Sequence, residues 1–404
     1  MLYNKYKRIG TKTILFSRLW TGLADPFGLI QTMHIQTLHL YSFRNYTETS
    51  VVPSAGFNVL LGRNAQGKTS LLEAIYLLAT ARSWRAGRDA ELIRWGVEHA
   101  RVSAKIARGQ RNDVEVEISL SRAEKKQVRV NTIRQTKLAD LMSQVNVVLI
   151  EPHDVEIVRG EPSCRRRFLD LEISQIQPQY CHLLVNYRRV LEQRNRLLRD
   201  LQARRSGDGV LRVWDEQVVI YGSKILERRL EFVKRAAALA RIIHSQITDG
   251  AESLEVRYAP SVDLGSAEAA AGIAAILQNR LEEVREEEIR RGMTLVGPQR
   301  DDLIFTVDGV DARIYGSHGQ QRTIALSLRL AELEAMEEAA GEPPIVLLDD
   351  VMTDLDEERR AHVFEMTRGR CQTFLTAASS RVLDPELLEG GKVFRVSGGQ
   401  VTAE

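Results

Sequence analysis

The sequence predicts an α/β fold with mixed and parallel sheets, interrupted by a helical-hairpin lobe. Three observations carry that prediction. The octapeptide Gly62-Arg63-Asn64-Ala65-Gln66-Gly67-Lys68-Thr69 stands between a strand-like apolar run at 57–61 and a helix-like run from Ser70. Residues 161–250 are almost free of strand signals. A short apolar run at 345–348 leads into Asp349-Asp350, the pattern of a buried parallel strand that delivers carboxylates at its C-terminal edge.

The octapeptide has the spacing of a phosphate-binding loop. Gly62 and Gly67 let the backbone N–H groups of Arg63, Asn64, Ala65 and Gln66 curl inward, at the positive end of the following helix. Lys68 then has the reach for β and γ phosphates, and Thr69 offers a hydroxyl to Mg2+. The plainer alternative is a glycine turn before a basic helix.

Taken in order, short β-like runs are expected at 34–43, 57–61, 99–107, 114–120, 128–131 and 145–150, as a mixed sheet around the nucleotide site. In 161–250, Leu183, Tyr187, Val190, Leu191, Leu197, Leu198 and Leu201 recur at helical spacing. The turn Ser206-Gly207-Asp208-Gly209 separates them from a second helical pattern, so two antiparallel helices are expected as an arm. Strands return at 254–258 and 303–307, where Val307-Asp308-Gly309-Val310 reads as a tight turn, with an acidic helix at 281–289 between them. Helices at 319–336 and 356–367 and strands at 373–375 and 393–396 complete the pattern. The expected division is 1–32, an extension that is disordered or upstream of the true start; 33–160, the first half of the head; 161–250, the lobe; and 251–404, the second half.

Composition narrows the class. With 44% hydrophobic and 27% charged residues and a net charge of +2, the chain has no global electrostatic footprint, so any nucleic-acid surface must be local. Cys164, Cys181 and Cys371 have neither metal-ligand nor disulfide spacing, which fits a reducing cytoplasm. No apolar run is long enough to span a bilayer, and the first 32 residues lack the apolar block of a signal peptide.

Asp349 is assigned to magnesium, usually through water, and Asp350 to positioning or deprotonating the attacking water. Adjacent strand residues point to opposite sides, so the two cannot duplicate one another. The alternative is a surface turn after a core strand. Upstream, Ser317, Gly319 and Gln320 open a helix and offer a second anion site suited to a γ-phosphate, or a simple cap.

The order of these motifs resembles the ATP-binding-cassette ATPases, within the SMC-like branch whose halves are split by helices. Ser42-Phe43-Arg44-Asn45-Tyr46, Glu151-Pro152-His153-Asp154, Arg165-Arg166-Arg167-Phe168-Leu169-Asp170, Gln193-Arg194-Asn195-Arg196-Leu197-Leu198, Trp214-Asp215, Gly297-Pro298-Gln299-Arg300-Asp301-Asp302 and Gln320-Gln321-Arg322-Thr323 resemble the RecF family of bacterial recombination mediators, from Met33 to Val396. The resemblance implies an ABC-type P-loop ATPase head and an ATP-dependent homodimer in which Ser317 to Gln320 contact the ATP of a second copy. It further implies single-stranded, duplex or gapped DNA as a ligand, a role in replication, recombinational repair and the SOS response, and help for RecA loading with RecR and RecO. Gln299 stands where the family usually has His, His318 where it has Gln, and Ala377-Ala378 where threonines often follow the last core strand. Asp350 is one methylene shorter than the glutamate common there. Slow, DNA-stimulated hydrolysis used as a conformational switch is therefore expected, with Lys68 and Asp350 as catalytic groups.

Arg188, Arg189, Arg194, Arg196, Arg199, Arg204 and Arg205 crowd one segment, with Arg165, Arg166, Arg167, Arg82, Arg85, Arg88 and Arg94 upstream. Their forked guanidinium groups suit phosphate, so Arg188, Arg189 and Arg194 are the DNA-contact candidates, reading duplex backbone rather than bases. The alternative is a solvated face, or pairing with the acidic helix around Glu282 to Glu288. Rival functions are a membrane-transporter ATPase subunit, an SMC-like tether and a P-loop enzyme acting on a small molecule.

Overall fold

Alternation of apolar residues builds the first sheet. In the computed structural model, which describes residues 32–109, 111–203, 210–353, 355–379 and 391–404, β1 (His34–Tyr41), β2 (Glu48–Val51), β4 (His99–Ala107), β5 (Val114–Ser121), β6 (Gln127–Val130) and β7 (Ile133–Gln135) form an antiparallel sheet ordered β2-β1-β4-β5-β6-β7. Every second residue of β4 and β5 is buried, as a sheet with one core face requires. The expected extension at 1–32 lies outside the described residues except for Thr32, and so do the turn at 206–209, Arg204 and Arg205.

The second sheet, β15-β14-β3-β13-β12-β8, is made of β3 (Phe57–Leu61), β8 (Val147–Ile150), β12 (Ile345–Leu348), β13 (Thr373–Ala377), β14 (Lys392–Ser397) and β15 (Gln400–Ala403). All pairings are parallel except the β14–β15 hairpin. Its central strands are apolar at nearly every position because both faces are covered. Val148, Ile150, Val346 and Leu348 join one core, while Val147, Leu149, Ile345 and Leu347 join the other. The strands of the first half therefore divide between two sheets rather than forming a single mixed one.

The helices of eight residues or more are introduced here with the two shorter ones between them: α1 (Lys68–Thr80), α2 (Glu156–Arg159), α3 (Pro162–Ile176), α4 (Pro178–Gln202), α5 (Leu211–Ile247), α6 (Ala270–Glu283), α7 (Arg285–Arg291), α8 (His318–Ala340) and α9 (Glu357–Thr367). Pro162 and Pro178 each occupy the first helical position, where a missing N–H costs nothing, and so the lobe holds three helices instead of two. α5 is no free arm. It packs on α4, α6, α8 and β9 (Leu254–Ala259), and its stripe Val218, Ile225, Phe232, Val233, Ala236, Ala240 and Ile243 shares one core with β12. β9 also pairs with β10 (Asp302–Val307), which turns through Asp308 (φ 51°) and Gly309 (φ 80°) into β11 (Val310–Asp311), the positive pair that a two-residue hairpin needs.

Candidate functional site

The phosphate loop joins β3 to α1 through two close approaches that exclude side chains. A Cβ on Gly62 would lie 2.2 Å from the Val396 carbonyl oxygen of β14. At Gly67, with φ 120°, it would lie within 2.9 Å of both Asn45 amide atoms and of Tyr46 Oη. Tyr46 Oη donates to Gly67 O (2.9 Å), and Asn45 Nδ2 donates to Gln66 O (2.8 Å). On the other side, the Gly399 N–H donates to Gln66 O (3.2 Å) and the Gly398 N–H to Gln66 Oε1 (2.8 Å). The Asn45-Tyr46 pair thus acts as a clamp on the loop, a role its sequence alone did not reveal.

Lys68 is buried, and its Nζ donates to Gly62 O (2.7 Å) and Arg63 O (3.0 Å). Burial lowers its pKa, while Asp350 and Asp349 oppose that shift. Asn64, Ala65, Gly67, Lys68 and Thr69 line a cleft of about 490 Å³ with Arg44, Arg85, Glu91, Ile93, Trp95, Asp350 and Thr376. Gly62, Arg63 and Gln66 are not among its lining residues.

Asp349 is buried; its Oδ1 accepts from Thr69 Oγ1 (2.9 Å) and Thr376 Oγ1 (2.9 Å). Burial raises its pKa and the two hydroxyls oppose that rise. The strand ends at Leu348, and Asp350 takes a left-handed φ of 55°, donating its N–H to Thr376 Oγ1 (2.8 Å). The two aspartates are therefore separated by this turn, not by strand alternation as expected: one is buried against Thr69 and the other exposed at the cleft. Thr69 and Asp349 offer hard oxygen donors that can hold Mg2+. Among the described residues no group of three or more His, Cys, Asp or Glu could hold a metal ion.

Ser317 caps α8: its Oγ accepts from the Gln320 N–H (3.1 Å), and its own N–H donates to Gln320 Oε1 (2.9 Å). Gln320 Nε2 also reaches Glu252 Oε1 (3.0 Å). Ser317 and Gly319 are exposed, and neither they nor Gln320 line the cleft. Within one chain these residues form the cap of the plainer reading.

Register places one more carboxylate at this edge. Ile150 pairs with Leu348 and accepts from the Asp349 N–H (3.0 Å), so Glu151 follows beside Asp349. Burial, then Asp154, lifts the Glu151 pKa from 4.5 to about 7, with Asp349 adding a smaller push. The folded state then holds the proton more tightly than the unfolded state, so this group's contribution to stability falls as pH rises from 4.5 to about 7 and stays low above. Glu151→Gln in nucleotide-free protein is expected to add on the order of 2 kcal/mol at pH 8 and little at pH 4.5. Denaturant melts at both pH values would show an equal effect if the carboxyl were unperturbed.

Of the DNA candidates, Arg188 and Arg189 are exposed on α4 and form no ion pair among the described residues. Arg194 is a correction. It is fully buried, donating to Asp215 Oδ1 (2.8 Å), Glu288 Oε2 (2.6 Å) and Thr294 Oγ1 (2.8 Å), so the acidic helix claims it. Arg165 is likewise buried, bonded to both oxygens of Asp302 (2.5 and 2.9 Å), and Arg166 Nη1 donates to Asp301 O (2.8 Å). Arg229 joins Asp170 (2.8 Å) to Pro298 O (2.7 Å). These motifs anchor the lobe to β10 rather than present charge to solvent.

A split α/β head with a phosphate loop and paired aspartates defines an SMC-type nucleotide-binding head. The RecF/RecN/SMC N-terminal domain family matches residues 34–396. The chain belongs to the RecF family of DNA replication and repair proteins. It is 42% identical over 370 residues to the DNA replication and repair protein RecF of Oceanobacillus iheyensis, covering 91% of this chain and 100% of that one. It is 41% identical to the Bacillus subtilis protein of the same name over 368 residues, 91% of this chain and 99% of that one. The solved structure of the recombination mediator protein RecF-ATP in the RecFOR pathway superposes with a TM-score of 0.87 at 30% identity, over 94% of this chain and 100% of that one. An Smc head domain from Pyrococcus furiosus shares the fold at 14% identity, with a TM-score of 0.52 over 92% of this chain and 96% of that one.

Proposed function

We propose that the chain binds ATP with Mg2+, closes over it as a homodimer on single-stranded, duplex or gapped DNA, and with RecR and RecO helps RecA loading in recombinational repair. The observation that carries this reading is a site divided within one chain. Lys68, Thr69 and Asp350 line one cleft, with Asp349 buried behind Thr69 and bonded to its hydroxyl, while the helix N-terminus at Ser317 and Gly319 is exposed outside it. A second copy supplying Ser317, Gly319 and Gln320 would complete the γ-phosphate cradle. Lys68 would then neutralise β and γ oxygens, Thr69 and Asp349 would hold the magnesium, and Asp350 would orient water for slow hydrolysis. Two relatives support the nucleotide: the solved structures of RecF with ATP and with an ATP analogue. No helix among the described residues is long and apolar enough to cross a membrane. A cytoplasmic location goes with the DNA role.

Arg188 and Arg189, with exposed Arg82 and Arg167, form the proposed contact with DNA phosphates. The double change Arg188→Ala/Arg189→Ala is expected to weaken duplex binding and to reduce the slope of log affinity against log salt by roughly 2, about 1 per lost phosphate contact. Titrations between low and moderate salt measure this, and an unchanged slope would remove that surface from the DNA interface.

A further inference from the structure

Beyond the phosphate loop, the cleft is lined by a ring that packs against no core. The segment between the helical turn at Asp89–Leu92 and β4 carries Trp95, which is 93% exposed, more than any other large hydrophobic residue described. The segment itself is tied down. The Arg44 N–H donates to Leu92 O (2.7 Å), the Arg94 N–H to Ser42 O (2.8 Å) and Arg122 Nε to Val97 O (2.9 Å), and Phe43 bridges to Ile93. Trp95 is thus an exposed indole carried on an anchored backbone, lining the same cleft as Lys68 and Thr69. Trp84 shows the ordinary alternative: partly buried, its ring meets Tyr76 edge-on at 5.0 Å. Leaving so large an apolar ring in solvent forfeits the burial that usually retains tryptophan, so a stacking partner accounts for it better than packing does.

We propose that Trp95 is the platform on which the base of the bound nucleotide stacks, while residues 62–69 hold its phosphates. Indole–base stacking needs no particular hydrogen-bond pattern, so the platform strengthens nucleotide binding without choosing among purines. It rests on the nucleotide-site reading given above. The competing occupant is a second copy of the chain, which could cover Trp95 without a base contact.

The test compares MgATP with magnesium tripolyphosphate, which keeps the phosphates and lacks the base, on the full chain at concentrations where it is monomeric. Trp95→Ala is expected to weaken MgATP binding roughly tenfold and to leave tripolyphosphate affinity unchanged, with Trp95→Phe restoring most of the loss. ATP, but not tripolyphosphate, should quench indole fluorescence in the wild type, and the quench should vanish in Trp95→Phe. Equal losses for both ligands, or no loss for ATP, would overturn the platform while leaving the phosphate site standing. Lost self-association with unchanged monomer affinity would overturn it in favour of a protein contact. A wild type that binds neither ligand would sink the nucleotide site and the platform together.

Discussion

Arg194→Ala is expected to destabilise the fold by about 3 to 5 kcal/mol, the usual cost of removing one partner from a buried ion cluster. Glu288 has no solvent exposure, and without the guanidinium its carboxylate is left with the Leu295 N–H (2.7 Å). Asp215 retains Arg285 (2.8 Å), so most of the penalty falls on Glu288. Arg188→Ala, on the same helix but exposed, is expected to change stability by less than about 0.5 kcal/mol. Guanidinium unfolding of the two variants distinguishes the roles. Near-equal midpoints would mean that Arg194 does not pin α4, α5 and α7 together.

Lys68→Ala is expected to weaken MgATP binding by about 100-fold, since an ammonium bonded to phosphate oxygens contributes on the order of 3 kcal/mol. Its Nζ rests on the carbonyls of Gly62 and Arg63, already inside the loop, and little reorganisation is needed to meet a phosphate. Asn45, Tyr46, Gly398 and Gly399 hold the loop from outside, so its shape should survive the truncation. Calorimetric titration gives the affinity directly. A variant that binds MgATP as tightly as wild type would show that the loop does not cradle phosphate.

Much of the nucleotide half was legible because its signals are local. The strand Phe57–Leu61, the strand Ile345–Leu348 and the start of α1 fall where apolar runs meet glycine or aspartate. Long-range pairing is not local, and so nothing in the strands themselves announced that 34–41 and 57–61 belong to different sheets. The arginine-rich helix did carry a usable signal. From Tyr187 onward its buried positions are Tyr187, Val190, Arg194 and Leu198, spaced three and four apart, which puts Arg194 on the apolar stripe with Arg188 and Arg189 off it. Counting arginines blurred a distinction that helical spacing preserves. For the aspartates, residue type was informative and direction was not: the left-handed turn at Asp350 decides which carboxylate meets solvent. Trp95 had no motif around it, because its significance comes from exposure beside a cleft assembled from distant segments.

Sedimentation of the full chain at saturating MgATP, with and without gapped DNA, tests the shared-nucleotide dimer most directly. Wild type is predicted to sediment as a dimer only with ATP, and Lys68→Ala to remain a monomer throughout. A wild-type chain that stays monomeric while its ATP is demonstrably bound would contradict closure of Ser317 over a partner's nucleotide.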